Sequence, residues 1–328
     1  MDYRAFVVTE TDSGSFEAEL KTLQSNNLPV GDVLIRVGYS SLNYKDALSF
    51  SGNKGVTRQF PHTPGIDAAG QVLSSNDDSF KVGEDVLVVG YDLGMNTPGG
   101  FGEVISVPKE WVIKLPKGLT SSESMAWGTA GFTAALCVNK LLQNGLRKEQ
   151  GPVLVSGASG GVGSVATMLL NKLGFEVHAL TSKTDHATFF NNIGASKVVA
   201  LADFMDQPAR PMLKPIYGSA IDVAGGEVLA TMVKCIKYGG SVACCGLVDS
   251  ISLNTTVLPF ILRGINLLGV DSVELPLSEK QAMWNTLAED WSLPELAENC
   301  QVIGPELLDQ SLRLILAGQA IGRFILKH

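Results

Sequence analysis

Pro152-Val153-Leu154-Val155-Ser156-Gly157-Ala158-Ser159-Gly160-Gly161-Val162-Gly163 reads as a short apolar strand, a glycine-rich turn and the mouth of a helix that continues from Ser164 to Leu173. A brief apolar run bounded by glycines is the pattern of a strand buried on both faces of a parallel sheet. Against the spacing GxGxxG, Ala158 stands where the first glycine would, and Gly157 just before it is placed to serve the tight turn. Gly160 lets the backbone approach a pyrophosphate, Gly163 permits close helix packing, and the helix N-terminus supplies N–H groups and the positive end of its dipole. Ser159, Gly160, Gly161, Val162 and Gly163 are therefore candidate dinucleotide contacts. The pattern has weight because it lies between a strand and a helix. A tight turn without a ligand is the alternative.

Downstream, Glu176–Thr181, Lys197–Ala200, Ser219–Val223, Gly240–Cys245 and Asn266–Val270 continue the strand series, with helical segments between most of them. Strands alternating with helices give a doubly wound parallel α/β sheet, here of about six strands. Upstream the period is different. From Tyr3 to about Pro116 the chain is strand-rich, with Arg4–Val8, Asp32–Val37, Gly70–Leu73 and Asp85–Val89 punctuated by glycine, proline and asparagine. The change comes near Ser121, where Ser122–Leu142 reads as one helix followed by a polar linker to Gln150. Leu277–Trp291 reads as another helix, and the apolar tail Ala320–Leu326 is expected to return to the first domain.

A chain of 328 residues exceeds what one core usually supports, so two domains are expected. The net charge of −8 lacks the basic face that phosphate neutralisation requires, which argues against a nucleic-acid binder. Five cysteines, an odd number without paired spacing, read as free thiols in a reducing compartment. No apolar run reaches the roughly 18 residues of a membrane span, and the N-terminus lacks a signal-peptide pattern. These features predict a cytoplasmic protein.

A dinucleotide site that prefers NAD carries an acidic residue at the end of its second strand to bond the ribose 2′-hydroxyl. Here that place reads Thr181-Ser182-Lys183. Two hydroxyls and a cation suit a 2′-phosphate, so NADPH is the expected cofactor. Lys197, after Gly194-Ala195-Ser196, is a candidate for the same adenosine side; the alternative for both lysines is an exposed loop position.

With the turn placed in this domain order, the chain resembles the zinc-free, quinone oxidoreductase-like branch of the medium-chain dehydrogenase/reductase superfamily, and within it the acrylyl-CoA reductase-like group. Ser40–Leu48 (SSLNYKDAL), Pro64–Gly70 (PGIDAAG), Gly128–Ala134 (GTAGFTA), Ser159–Ser164, Pro259–Gly264 and Leu268–Ser272 carry the resemblance. It implies a GroES-like, strand-rich substrate domain over residues 1–122, completed by 273–328, and a Rossmann domain over 123–272. Zinc-dependent relatives place Cys and His-Glu where this chain has Asn43 and Ile66-Asp67, and their four-cysteine lobe has no counterpart between Asp85 and Trp111. A catalytic zinc needs about three thiolate, imidazole or carboxylate ligands, so no metal is expected.

Further roles follow from the resemblance alone. Tyr44, Lys45 and Asp46 occupy the stretch that faces the nicotinamide end, with Tyr44 as a cofactor contact and proton relay and Lys45 as a stabiliser of negative charge. Thr129 resembles the helix-start residue that approaches nicotinamide. Gly246, Leu247, Ile261 and Ser272 resemble positions lining the cofactor cleft, with apolar core as the alternative for Ile261. Arg323 resembles a cofactor contact, with a surface salt bridge as its alternative. The implied reaction is NADPH-dependent reduction of an activated C=C bond in a small-molecule substrate, with acrylyl-CoA or a related enoyl thioester first and a quinone or enone as alternative. Lys54, Arg58 and Arg263 are candidate cations for acyl-CoA phosphates. A non-enzymatic NADPH-binding protein is a further alternative. A homodimer is expected.

Overall fold

A computed structural model describes all 328 residues. In chain order its elements are β1 (Asp2–Glu10), β2 (Phe16–Gln24), β3 (Val33–Ser41), α1 (Tyr44–Phe50), β4 (Asp67–Ser75), β5 (Asp85–Val89), β6 (Val104–Val107), β7 (Ile113–Lys114) and α2 (Ser121–Gln143). They continue with β8 (Val153–Val155), α3 (Gly161–Lys172), β9 (Val177–Thr181), α4 (Ala187–Asn192), β10 (Lys197–Ala200), α5 (Leu201–Met205), β11 (Ser219–Asp222), α6 (Gly226–Cys235), β12 (Ser241–Cys244), α7 (Leu258–Arg263) and β13 (Asn266–Gly269). The chain closes with α8 (Leu277–Ala288), β14 (Cys300–Ile303), α9 (Leu308–Leu316) and β15 (Arg323–Lys327). It divides into two compact units, Met1–Thr129 with Ser272–His328, and Ala130–Asp271.

In the first unit a seven-stranded sheet runs β14-β15-β3-β4-β5-β7, with β6 also on β3, beside the separate hairpin β1-β2. The C-terminal tail joins this unit: β15 pairs antiparallel with β3, Ile325 opposite Ser41 and Lys327 opposite Tyr39. Phe6, Phe50 and Phe101 from the N-terminal segment share one core with Leu308, Leu312, Phe324 and Leu326 from the return. Removing apolar area from water drives both segments into one body. Strand β2 is an element the sequence reading missed. Five of its nine residues are exposed and three are charged, and pairing along the whole of β1 holds it as a strand.

The second unit holds the expected six-stranded parallel sheet, in the order β10-β9-β8-β11-β12-β13. Its core joins Leu154, Leu180, Ala220 and Val242 from the strands to Leu229, Met232 and Val233 of α6. The order reverses between β8 and β11, so the carboxyl ends of these two strands form the switch point where open parallel sheets bind ligands.

The expected helix over 122–142 is broken. Gly128 has φ 50° and ψ −164°, so α2 is two helices joined by a non-helical residue. The boundary between the units accordingly follows Thr129 rather than residue 122, because the residues before the break are tied to the first unit by the polar network described next.

Candidate active site

The glycine turn lies between β8 and α3, at the carboxyl end of the central strand. Gly157 takes φ 56°, a conformation that favours glycine, and its carbonyl accepts the Gly160 N–H at 2.9 Å. A Cβ on Gly163 would press on the Gly157 carbonyl group and lie 2.8 Å from Ala158 Cα. Glycine at 163 is therefore required by close packing of helix on turn. The first-turn N–H groups of α3, at Gly161, Val162 and Gly163, have no acceptor within the helix, which makes this end fit an anionic group. Behind the turn, the buried Asp222 carboxylate accepts the Ser156 hydroxyl at 2.9 Å and the Gly225 N–H at 2.8 Å. Ser156 Oγ in turn accepts the Val223 N–H at 2.9 Å. Asp222 thus braces the ends of β8 and β11, a role not recognised in the sequence.

At the end of β9, Thr181 is buried and its Oγ1 accepts the Lys183 N–H at 3.1 Å, while Ser182 is exposed. Partial burial holds the Lys183 ammonium below its ordinary pKa. Lys197 requires a correction. In this parallel pairing Ala200 lies beside Thr181, whereas Lys197 opens its strand beside His178, at the opposite end of the sheet. Three residues along a strand are about 10 Å, which removes Lys197 from the adenosine side. Gly246 and Leu247 follow β12, Leu247 being exposed. Ile261 is 68% exposed on α7 and is not core.

In the first unit, Tyr44 and Lys45 open α1 half-buried. Asp46 is fully buried, and its carboxylate accepts the Asn43 N–H and the Ile66 N–H, each at 2.8 Å. That makes it a cap of α1 and a tie to the segment before β4 rather than a group that meets substrate, which corrects its assignment as catalytic. Burial first, and then the neighbouring Asp67 carboxylate, push the Asp46 carboxyl up to about 7. Asp67, also fully buried, accepts Asn43 Nδ2 at 2.8 Å and the hydroxyl of Ser41.

The break at Gly128 is capped from both sides. Arg323 Nε donates to the Ala126 carbonyl at 3.2 Å, and Nη1 donates to the Leu42 carbonyl at 3.2 Å and Asn43 Oδ1 at 3.4 Å. The Asp67 carboxylate takes the Thr129 N–H at 2.8 Å and the Thr129 hydroxyl. A cation at the C-terminal end of one helix and an anion at the N-terminal end of the next match both dipoles and both sets of orphan backbone groups. Arg323, 3% exposed, braces this unit through Nε and Nη1 and is not the surface ion pair that was the alternative, while its buried Nη2 has no hydrogen-bond partner. Burial lowers its pKa from the ordinary arginine value. Ser272, the first residue of the return, is buried.

Other cations are also engaged. Lys54 Nζ is 2.5 Å from Glu10 Oε2 and lies against the rings of Phe16 and Phe60. Arg263 donates to the carbonyls of Lys234, Ile236 and Leu213. Lys280 is fully buried, with Nζ on the carbonyls of Val89 (2.7 Å) and Val273 (2.8 Å) and 3.4 Å from the Tyr91 ring centroid. It anchors the start of the return, and a lysine gives no hint of such burial in sequence.

Comparison with known proteins agrees with this architecture. Residues 29–117 match the alcohol dehydrogenase GroES-like domain and residues 161–289 match the zinc-binding dehydrogenase domain. Acrylyl-CoA reductase AcuI of Ruegeria pomeroyi is 41% identical over 327 residues, 98% of each chain. The crystal structure of Salmonella enterica YhdH in complex with NADP superposes with a TM-score of 0.95 at 40% identity, covering all of both chains. That of Bacillus subtilis YhfP with NAD bound gives 0.96 at 40% identity, again over all of both chains. YhfP, 41% identical over 97% of each chain, carries a quinone oxidoreductase name. A zinc ion does not fit the first unit's polar network: both carboxylates are saturated with N–H and O–H donors, a guanidinium lies beside them, and no group of three His, Cys, Asp or Glu side chains is placed to hold a metal.

Proposed function

The chain belongs to the zinc-free, quinone oxidoreductase-like branch of the medium-chain dehydrogenase/reductase superfamily, and from that premise we propose that it reduces the activated C=C bond of acrylyl-CoA or a related short enoyl-CoA thioester with NADPH. It is an oxidoreductase of two units, one a parallel dinucleotide-binding sheet and the other a GroES-like sheet domain. The observation that carries the cofactor reading is the turn before α3, where Gly163 fits only without a side chain and the first-turn N–H groups have no acceptor within the helix, together with Thr181-Ser182-Lys183 in place of an acidic residue at the end of β9.

Ser159, Gly160, Gly161, Val162 and Gly163 would hold the pyrophosphate, and Thr181, Ser182 and Lys183 the 2′-phosphate. Tyr44, Thr129, Gly246, Leu247, Ile261 and Ser272 are assigned as further cofactor contacts. When bound, NADPH supplies a hydride for the β-carbon of the substrate. Tyr44 offers its phenol proton to the product side of that step, and Lys45 stabilises negative charge developing on the carbonyl oxygen. A thioester-conjugated alkene is already polarised, so no metal is needed to activate it.

Quinone or enone reduction is the second reading, favoured by the engagement of Lys54 and Arg263, which leaves the acyl-CoA phosphates fewer of the expected cations. We also propose a cytoplasmic homodimer. Strand β13 is an open sheet edge, and Val248, Ile251 and Leu262 on neighbouring segments are exposed, an apolar border that a second copy would cover.

The test is NADPH oxidation with acrylyl-CoA, crotonyl-CoA, a free enone and a quinone, with NADH in parallel. Acrylyl-CoA turnover favouring NADPH supports the proposal. Turnover confined to quinone or enone selects the second reading, and binding without turnover identifies a non-enzymatic binder. The B. subtilis relative holds NAD in its crystal, so equal use of NADH would refute the role given to Lys183.

A further inference from the structure

Asp67 lies deep in the first unit, 62 residues before the threonine it holds. Its Oδ2 accepts the Thr129 N–H and Asn43 Nδ2, each at 2.8 Å, and the Ser41 hydroxyl; its Oδ1 accepts the Thr129 hydroxyl. Four donors converge on the group, the arrangement that suits an ionised carboxylate. A carboxylate has no proton to give. The hydroxyl hydrogen of Thr129 is therefore committed to Asp67, and Oγ1 meets any further partner only as an acceptor. Thr129 keeps part of its surface exposed, whereas Asp67 does not. Arg323 and the glycine at 128 keep the pair in register. A Cβ at 128 would crowd Ser41 Oγ, lie 2.6 Å from Arg323 Nη2 and lie 2.8 Å from Asp67 Oδ2.

We infer that Asp67 is a positioning residue that sets the polarity of the Thr129 hydroxyl, so that Thr129 selects a hydrogen-bond donor, the carboxamide NH2 of a nicotinamide ring. Phosphate oxygens, being acceptors, are turned away by an acceptor backed by a carboxylate. The amide is the strongest neutral donor at the reactive end of the cofactor. The inference rests on the assignment of Thr129 as an NADPH contact. It adds a specificity determinant within the polar network that occupies the place of the zinc ligands in zinc-dependent relatives.

The experiment compares dissociation constants for NADP+ and its 3-acetylpyridine analogue, which replaces the amide NH2 with a methyl group, by calorimetry without substrate. The wild type is expected to bind NADP+ about tenfold more tightly, the worth of one well-placed hydrogen bond. Thr129→Val should bind the two within about twofold of each other, and Thr129→Ser should keep the wild-type ratio. Asp67→Asn can turn its NH2 toward Thr129 Oγ1 and make the hydroxyl donate away from it, so its ratio should also fall to about twofold. A loss of packing alone would weaken both ligands equally and leave the ratio unchanged. A tenfold ratio retained in Thr129→Val or in Asp67→Asn, or no preference in the wild type, overturns the inference while leaving NADPH binding intact. Failure of the wild type to bind NADP+ overturns the cofactor assignment and this inference with it.

Discussion

Replacing Gly128 with alanine should cost the protein about 2–6 kcal/mol of stability, from two separate sources. The first is backbone. At φ 50° and ψ −164°, residue 128 occupies a region almost confined to glycine, and any side chain there costs about 1–3 kcal/mol. The second is packing. The new methyl would lie 2.6 Å from Arg323 Nη2 and 2.8 Å from Asp67 Oδ2, and both side chains are buried with their other atoms engaged. Neither can swing into solvent. Displacing Asp67 strips the Thr129 N–H of its acceptor and leaves a buried carboxylate short of donors, at a further cost of about 1–3 kcal/mol. Urea unfolding followed by tryptophan fluorescence suits the measurement, since Trp127 is buried next to the break. Gly239→Ala is the reference: φ is 72° and nothing lies within 4 Å of the added Cβ, so only the backbone cost of about 1–2 kcal/mol applies. If Gly128→Ala is no more destabilised than Gly239→Ala, the account of a capped and crowded break is wrong.

Lys183→Ala should raise the dissociation constant for NADPH about 10- to 100-fold, the loss of a charge-assisted hydrogen bond, and leave that for NADH unchanged; equal weakening of both would remove Lys183 from the 2′-phosphate. Asp46, with a carboxyl at about 7 in the folded chain against 3.8 ordinarily, keeps its proton where the unfolded chain loses it. Its stabilising contribution is complete below about pH 4 and is lost as pH rises to about 7. The stability difference between wild type and Asp46→Asn should therefore shrink by up to about 3 kcal/mol between pH 5 and pH 8, and denaturant titrations showing no change would contradict this. Leu267→Glu places a charge on the open edge of β13, and light scattering should then report a monomer; a persistent dimer would put the interface elsewhere.

Local sequence determined the dinucleotide-binding half of this protein. The glycine turn, the apolar strands and the alternation of strand with helix depend on residues within a few positions of one another, and each was found at or within about two residues of its expected place. The placement of Thr181-Ser182-Lys183 at the end of β9 was legible for the same reason, since that strand end needs no distant partner to define it. What the tertiary structure alone decided concerns charges and breaks. Gly128 sits in an apolar helical pattern, and only the Ser41, Asp67 and Arg323 side chains around it explain why the helix stops there. Arg323 meets Ala126 from 197 residues away, and Lys280 meets Val89 from 191. Lys197 looked close to Lys183 along the chain, yet the parallel register carries it to the other end of the sheet. An apolar side chain is directed inward by water wherever it stands, so its pattern can be read locally. A charged side chain is buried only where the fold has already assembled its partners, and those partners come from distant parts of the sequence.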